Sequence, residues 1–180
     1  YKDLLADYVN MTGSIPMIPR WAFGLWMSKC VYKDQEEVVQ VVKRAKEEEI
    51  AIDVINLDAW QASEDSGAWV WDRKRFPDPE GMITFLLENR IHLCLWIYPY
   101  IGEESEYFRL AGENGWLVKD GNGNPLTFYA TAAADRKVGC FDFTNPGFRE
   151  WYVPRVKEVI GMGIGAVKTD FSEAVPENAV

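Results

Sequence analysis

The stretch Ala166-Val167-Lys168-Thr169-Asp170-Phe171, followed by Ser172 and Glu173, is an apolar run that stops at a carboxylate, with a lysine two residues before it. Side chains alternate across a strand, so Lys168 and Asp170 share one face while Val167, Thr169 and Phe171 share the other. This spacing predicts a lysine and an aspartate side by side at a strand's carboxyl end, each keeping the other ionised. That is how a carboxylate nucleophile stays charged at neutral pH.

Working outward, three earlier runs have the same character: Trp21 to Ser28, Ile50 to Leu57 ending at Asp58, and Ile91 to Tyr98 stopped by Pro99. Runs apolar on both faces are what buried parallel strands look like. Helical patterns separate them. Asp34 caps a helix predicted from Gln35 to Glu49, with Val38, Val39, Val41, Val42 and Ala45 as its stripe. Asp78-Pro79 opens a helix through Asn89, residues 105–114 form a shorter one, and Thr144-Asn145-Pro146 opens another to Ile160. Gly161, Gly163 and Gly165 end it. Residues 3–12 have helical spacing, and Pro16 and Pro19 then enforce an extended connection into the first strand. Between these elements lie a loop-rich insertion, Ala59 to Arg75, and a hairpin excursion from Trp116 to Tyr129 around Asn122-Gly123-Asn124-Pro125. Ala130 to Gly139 has no pattern and reads as loop.

Strands alternating with helices predict parallel βαβ units. The expected fold is therefore α/β: four βα units forming the first half of a (β/α)8 barrel, with an inserted loop and hairpin. Residues 1–20 are expected to be a lead-in helix and linker, and 21–180 the partial barrel. Half a barrel leaves two sheet edges uncovered, so these residues alone are expected to aggregate or remain partly unfolded.

Composition narrows the function classes. Eight Trp, eight Tyr and nine Phe in 180 residues can fill a core or offer flat surfaces to sugar rings. A net charge of −9 argues against nucleic acid, which requires a basic face. No apolar run approaches the ~20 residues of a membrane helix, and Tyr1 to Asn10 shows no signal-segment pattern. Cys30, Cys94 and Cys140 have no metal-ligand spacing, and Cys94 and Cys140 read as buried free thiols. No metal and no organic cofactor is expected. The only histidine, His92, opens an apolar run and reads as a strand-end residue, which disfavours Ser–His and Cys–His mechanisms.

Parallel barrels carry their sites at the carboxyl ends of the strands. There the chain offers Ser28 to Cys30, then Asp58 and Trp60, then Trp96 and Tyr98, then Lys168 and Asp170. Carboxylates on two strands with a lysine and a tryptophan between them suit a polyhydroxylated ring: a carboxylate accepts two hydroxyl hydrogen bonds and an indole packs on the C–H face.

These residues carry a resemblance. Phe23-Gly24-Leu25-Trp26, Asp58, Trp71-Asp72, Phe76-Pro77-Asp78-Pro79, Trp96-Ile97-Tyr98-Pro99-Tyr100, Asp142-Phe143-Thr144-Asn145-Pro146 and Lys168-Thr169-Asp170-Phe171-Ser172-Glu173 together resemble glycoside hydrolase family 31. That family comprises retaining α-glucosidases and α-xylosidases, and the last motif is similar to its α-xylosidase-like branch. The resemblance implies that Asp170 is a nucleophile forming a covalent glycosyl-enzyme. It further implies that Asp58, Trp96, Lys168 and Trp60 hold the sugar, and that Glu173 supports the site from behind. A retaining mechanism needs a second carboxylate roughly 5–5.5 Å from the nucleophile. By the resemblance it lies past residue 180, so the chain is expected to be inactive alone, with the rest of the barrel and flanking β domains as its partners.

The sequence departs from the family pattern at Val31, where a phenylalanine is usual, at Ser172, and at Ala134 to Gly139, which lacks a pocket tryptophan. The expected function is a fragment of an exo-acting α-glycosidase that hydrolyses terminal α-glucosides or α-xylosides. The alternatives are an α-galactosidase-like enzyme or α-transglycosylase of the same clan, and a degenerate barrel that binds carbohydrate without catalysis.

Overall fold

The computed structural model describes residues 1–130 and 135–179. In chain order the elements are α1 (Lys2–Thr12), a 3-10 turn (Arg20–Phe23), β1 (Trp26–Lys29), α2 (Gln35–Glu47), β2 (Val54–Leu57), α3 (Pro79–Glu88), β3 (His92–Ile97) and β4 (Tyr100–Gly102). There follow α4 (Glu106–Glu113), β5 (Thr127–Phe128), β6 (Val138–Cys140), α5 (Pro146–Gly161) and β7 (Ala166–Thr169). β1, β2, β3 and β7 form one parallel sheet in that order, and β4, β6 and β5 form a second, antiparallel sheet.

The helix starts follow from local chemistry. Asp34 accepts from the Glu37 N–H, Asp78 from Gly81, Ser105 from Tyr107, and Asn145 from Gly147 and Phe148. Each cap satisfies N–H groups that the first helical turn leaves unpaired, and proline follows directly after Asp78 and Asn145.

Several boundaries differ from the sequence reading. The first strand begins at Trp26, because Trp21 to Phe23 coil into the 3-10 turn and the Asp53 carboxylate takes the Leu25 N–H at 3.1 Å. The second begins at Val54. Ile50 instead closes α2, donating to the Ala45 carbonyl at 2.7 Å behind Glu49, which takes a left-handed φ of 56°. Val138 and Gly139, read as loop, form with Cys140 the central strand of the small sheet. The hairpin turn at Asp120 to Asn124 forms, with the Asp120 carboxylate accepting from the Asn122 and Asn124 N–H groups. Its return arm then leaves the outgoing arm and continues as β5 against β6.

The parallel sheet has two different faces. Ile55, Leu57, Leu93, Leu95 and Ile97 pack with Val38 and Val42 of α2, Met82, Ile83 and Leu86 of α3, and Val159 of α5. The opposite face carries Val54, Asn56, Cys94, Trp96 and Lys168, in register as Asn56 beside Cys94 and Trp96 beside Lys168. β2 and β3 are interior strands, whereas the outer strands β1 and β7 are partly or fully exposed. Most of the aromatic excess goes into packing. Trp60, Trp69, Trp71 and Phe76 cluster edge to face, and Phe141, Phe148, Trp151 and Tyr152 form a second group.

The insertion after β2 is seated against β4 by Gly67. Its φ is +95°, and a Cβ there would stand 2.4 Å from the Tyr100 carbonyl oxygen. A left-handed backbone and a collision with main chain act together, so Gly67→Ala is expected to destabilise the fold by about 2–4 kcal/mol. The shift of a urea unfolding midpoint of the whole protein measures it.

The cysteines give a second check. Cys94 and Cys140 are buried and free, and Cys30 is exposed. Burial pushes the Cys94 thiol up to about 11 and the Cys140 thiol up to about 12. A disulfide reagent near pH 8 is expected to modify Cys30 rapidly, and Cys94 and Cys140 only after denaturant is added, as read by peptide mass.

Candidate active site

Because side chains alternate along a strand and parallel partners lie level, one sheet face stacks its residues in layers. Ser28, Asn56, Cys94 and Ala166 are level across the four strands. Two residues further on come Asp58, Trp96 and Lys168, and two beyond Lys168 comes Asp170. The polar groups read from the sequence thus converge at the carboxyl end of one face.

Lys168 Nζ donates to Asp58 Oδ1 at 2.8 Å, and Asn56 Nδ2 donates to the same oxygen at 2.6 Å. Asn56 is buried, and its amide also donates to Ser28 Oγ at 3.2 Å. This ion pair spans two strands separated by β3. Asp170 is held differently. Trp96 Nε1 donates to Asp170 Oδ2 at 2.9 Å, the Phe171 N–H donates to Oδ1 at 3.1 Å, and the Asp170 N–H donates to the Ile97 carbonyl at 3.0 Å. The expected Lys168–Asp170 pair is therefore corrected: the lysine serves Asp58 and the indole serves Asp170. Backbone distance does not decide this, since positions i and i+2 lie about 6.6 Å apart and two strand spacings about 9.6 Å. The ladder ends at Thr169, and the Asp170 carboxylate is turned to the Trp96 and Phe171 N–H groups while Asp58 meets the lysine.

Asp58, Trp96, Tyr98 and Asp170 line a cavity of about 1200 Å³ with Cys30, Val31 and the 59–75 insertion. Asp170 is exposed toward it, and Asp58 is half-buried. The cavity is the place where a ring could meet Asp170. Its wall also includes Asp135 and Arg136, from the stretch that lacks the expected tryptophan. Arg136 pairs with Glu104 at 2.9 Å and Asp135 at 3.1 Å, so charge stands where an aromatic was anticipated. Residues 131–134, including Ala134 of that stretch, lie outside the described residues.

One sequence-predicted sugar contact is placed otherwise. Trp60 is fully buried, packs on Trp71 and donates its indole N–H to the Trp96 carbonyl at 2.8 Å. It supports Trp96 from the core and has no surface on the cavity. Glu173 is exposed and also stands outside the cavity lining.

Two contributors escaped the sequence reading. Asn56 orients Asp58, and the one signal for it was a polar residue in an apolar strand. Arg75 donates to the carbonyls of Lys33, Ala59 and Tyr32 at 2.9, 2.7 and 2.6 Å, drawing together the loops after β1 and β2. A planar guanidinium can serve three acceptors in fixed directions. Nothing in the local sequence distinguishes Arg75 from a solvated charge.

The comparisons with known proteins fit this geometry. The family model "Glycosyl hydrolases family 31 TIM-barrel domain" matches residues 15–179. The alpha-xylosidase XylQ of Lactiplantibacillus pentosus is 34% identical over 99% of this chain and 24% of its own length. Alpha-glucosidase 2 of Bacillus thermoamyloliquefaciens is 28% identical over 96% of this chain and 22% of its own. Among solved structures, a GH31 alpha-xylosidase from a soil metagenome, complexed with xylose, superposes with a TM-score of 0.74 and 31% identity, over 93% of this chain and 25% of that one. The chain thus spans about a quarter of the length of these relatives. Its four parallel strands are part of an α/β barrel, and the chain belongs to glycoside hydrolase family 31.

Proposed function

We propose that this chain carries the nucleophile half of a retaining exo-acting α-glycosidase whose substrates are terminal α-xylosides and α-glucosides. The observation that carries the reading is Asp170. Its carboxylate lies at the end of a barrel strand, faces the cavity, and is oriented by the Trp96 N–H. The names of the relatives favour a neutral pentose or hexose in the α configuration.

The chemistry follows from the geometry. A sugar ring in the cavity meets Asp58, whose Oδ1 is already taken by Lys168 and Asn56 and whose Oδ2 is left for ring hydroxyls. One Asp170 oxygen attacks the anomeric carbon as the bond to the aglycone oxygen breaks, which gives a covalent glycosyl ester and an alcohol. The departing oxygen takes its proton from a second carboxylic acid. Water then attacks the same carbon, that second group removes the proton from the water, and Asp170 leaves as a carboxylate. Asp58 is committed to its two donors and is poorly suited to be the acid. By the family resemblance the acid/base lies in the part of the relatives' length that this chain does not span, and residues 1–180 alone are inactive in this reading.

In the whole protein, Asp170→Ala is expected to lower kcat on an aryl α-xyloside or α-glucoside by about 10⁴-fold or more, while xylose or glucose still binds by calorimetry. A mutant that keeps more than a tenth of the wild-type rate would sink the assignment.

A mechanism-based fluoroglycoside is expected to leave its sugar esterified to Asp170, seen as a mass increment on the peptide containing it. The same increment on another carboxylate would refute the nucleophile.

A further inference from the structure

The strand that delivers Asp170 ends one residue before it. The last ladder pair of β7 is Thr169 with Ile97, and the Asp170 N–H makes a final bond to the Ile97 carbonyl. The chain then turns sharply, with Phe171 at a left-handed φ of 48°, a conformation that a bulky residue holds only when its surroundings enforce it. What enforces it is the small antiparallel sheet. Phe171, Ala174 and Val175 pack against Tyr98, Tyr100, Val138 and Cys140, and the Phe171 ring meets the Trp96 ring edge-on at 6.3 Å. The Ala174 N–H donates to the Tyr100 hydroxyl at 3.0 Å. Among the described residues this is the one hydrogen bond that ties 171–176 to another element of the fold.

Tyr100 suits such a duty. It lies in β4 opposite Cys140, is fully buried, and has its ring fixed edge-on by Tyr98 at 5.2 Å and Phe128 at 5.4 Å. Its hydroxyl therefore has little freedom of position. The same side of the molecule supplies Trp96, whose N–H holds the Asp170 carboxylate. Asp170 is thus gripped from the front by an indole, while the turn behind it is gripped by a phenol.

We propose that Tyr100 is a positioning residue for the nucleophile: its hydroxyl holds the backbone turn that follows Asp170, and the inserted β4–β6–β5 sheet is the bracket from which it acts. The inference rests on the assignment of Asp170 as nucleophile. Attack requires the reacting oxygen within a fraction of an ångström of its productive position, and small displacements are costly in rate. Sugar binding through Asp58 and Lys168 does not pass through this bracket. Loss of the hydroxyl should therefore appear in the chemical step and spare affinity.

The experiment uses the whole protein with Tyr100→Phe, which removes only the hydroxyl, and Val42→Ala, which removes packing from the helix-covered core and leaves the bracket intact. Tyr100→Phe is expected to lower kcat, and the limiting rate of fluoroglycoside labelling at Asp170, by about tenfold. KM should stay within twofold, and amide exchange in 171–175 should accelerate. Val42→Ala should lower the unfolding midpoint and keep kcat within twofold. Wild-type labelling at Asp170 with both rates unchanged in Tyr100→Phe overturns the positioning role alone, as does an equal loss of kcat in the two variants. Wild-type labelling at another carboxylate overturns the nucleophile assignment, and this role with it.

Discussion

The parallel register of β3 between β2 and β7 is the constraint on which the rest depends. It sets Asn56 beside Cys94 and Trp96 beside Lys168, and alternation then carries Asp58 and Asp170 to the same face. A slip of one residue in either pairing would send the slipped strand's polar groups into the helix-covered face, among Leu57, Leu95 and Ile97. The apolar face thus fixes the polar one: the cost of exposing that row of leucines and isoleucines holds the register that the chemistry needs.

Within that frame the polar groups are divided between two tasks. Lys168 and Asn56 converge on Asp58, a pair reaching across an intervening strand. Trp96 serves Asp170. In the proposed mechanism a lysine spent on Asp170 would offset the negative charge that attack uses, whereas a neutral indole orients the carboxylate and leaves its charge intact. The donors on Asp58 would there organise hydrogen-bonding capacity for the hydroxyls of a neutral ring. Arg75 acts one layer out, where it binds the loops that rim the same cavity.

The small antiparallel sheet stands against the candidate site without lining the cavity. β4, β5 and β6 leave the barrel order and return to it, and they cover the turn after β7. The stretch Trp96 to Tyr100 passes from the barrel sheet into this one across Pro99. Trp96 and Tyr98 line the cavity, Ile97 packs in the helix-covered core, and Tyr100 packs in the bracket. Trp60 completes the arrangement from the core through the Trp96 carbonyl.

The sequence by itself determined the four apolar runs, the caps at Asp34, Asp78 and Asn145, and the strand-end positions of Asp58, Trp96, Lys168 and Asp170. Each is a local matter of alternation, of capping chemistry, or of where an apolar run stops. Its motifs also carried the family. Only the tertiary structure decided who pairs with whom. Lys168 and Asp170 are neighbours in sequence, yet the lysine's partner is 110 positions away and the aspartate's is 74. Trp60 is two residues from a cavity carboxylate, yet it is consumed by the core. Val138 and Gly139 look like loop until β4 and β5 flank them, because a two- or three-residue strand has no period of its own to read. Partner choice depends on distances between strands and on which surfaces must be buried, and neither is written in the spacing along one chain.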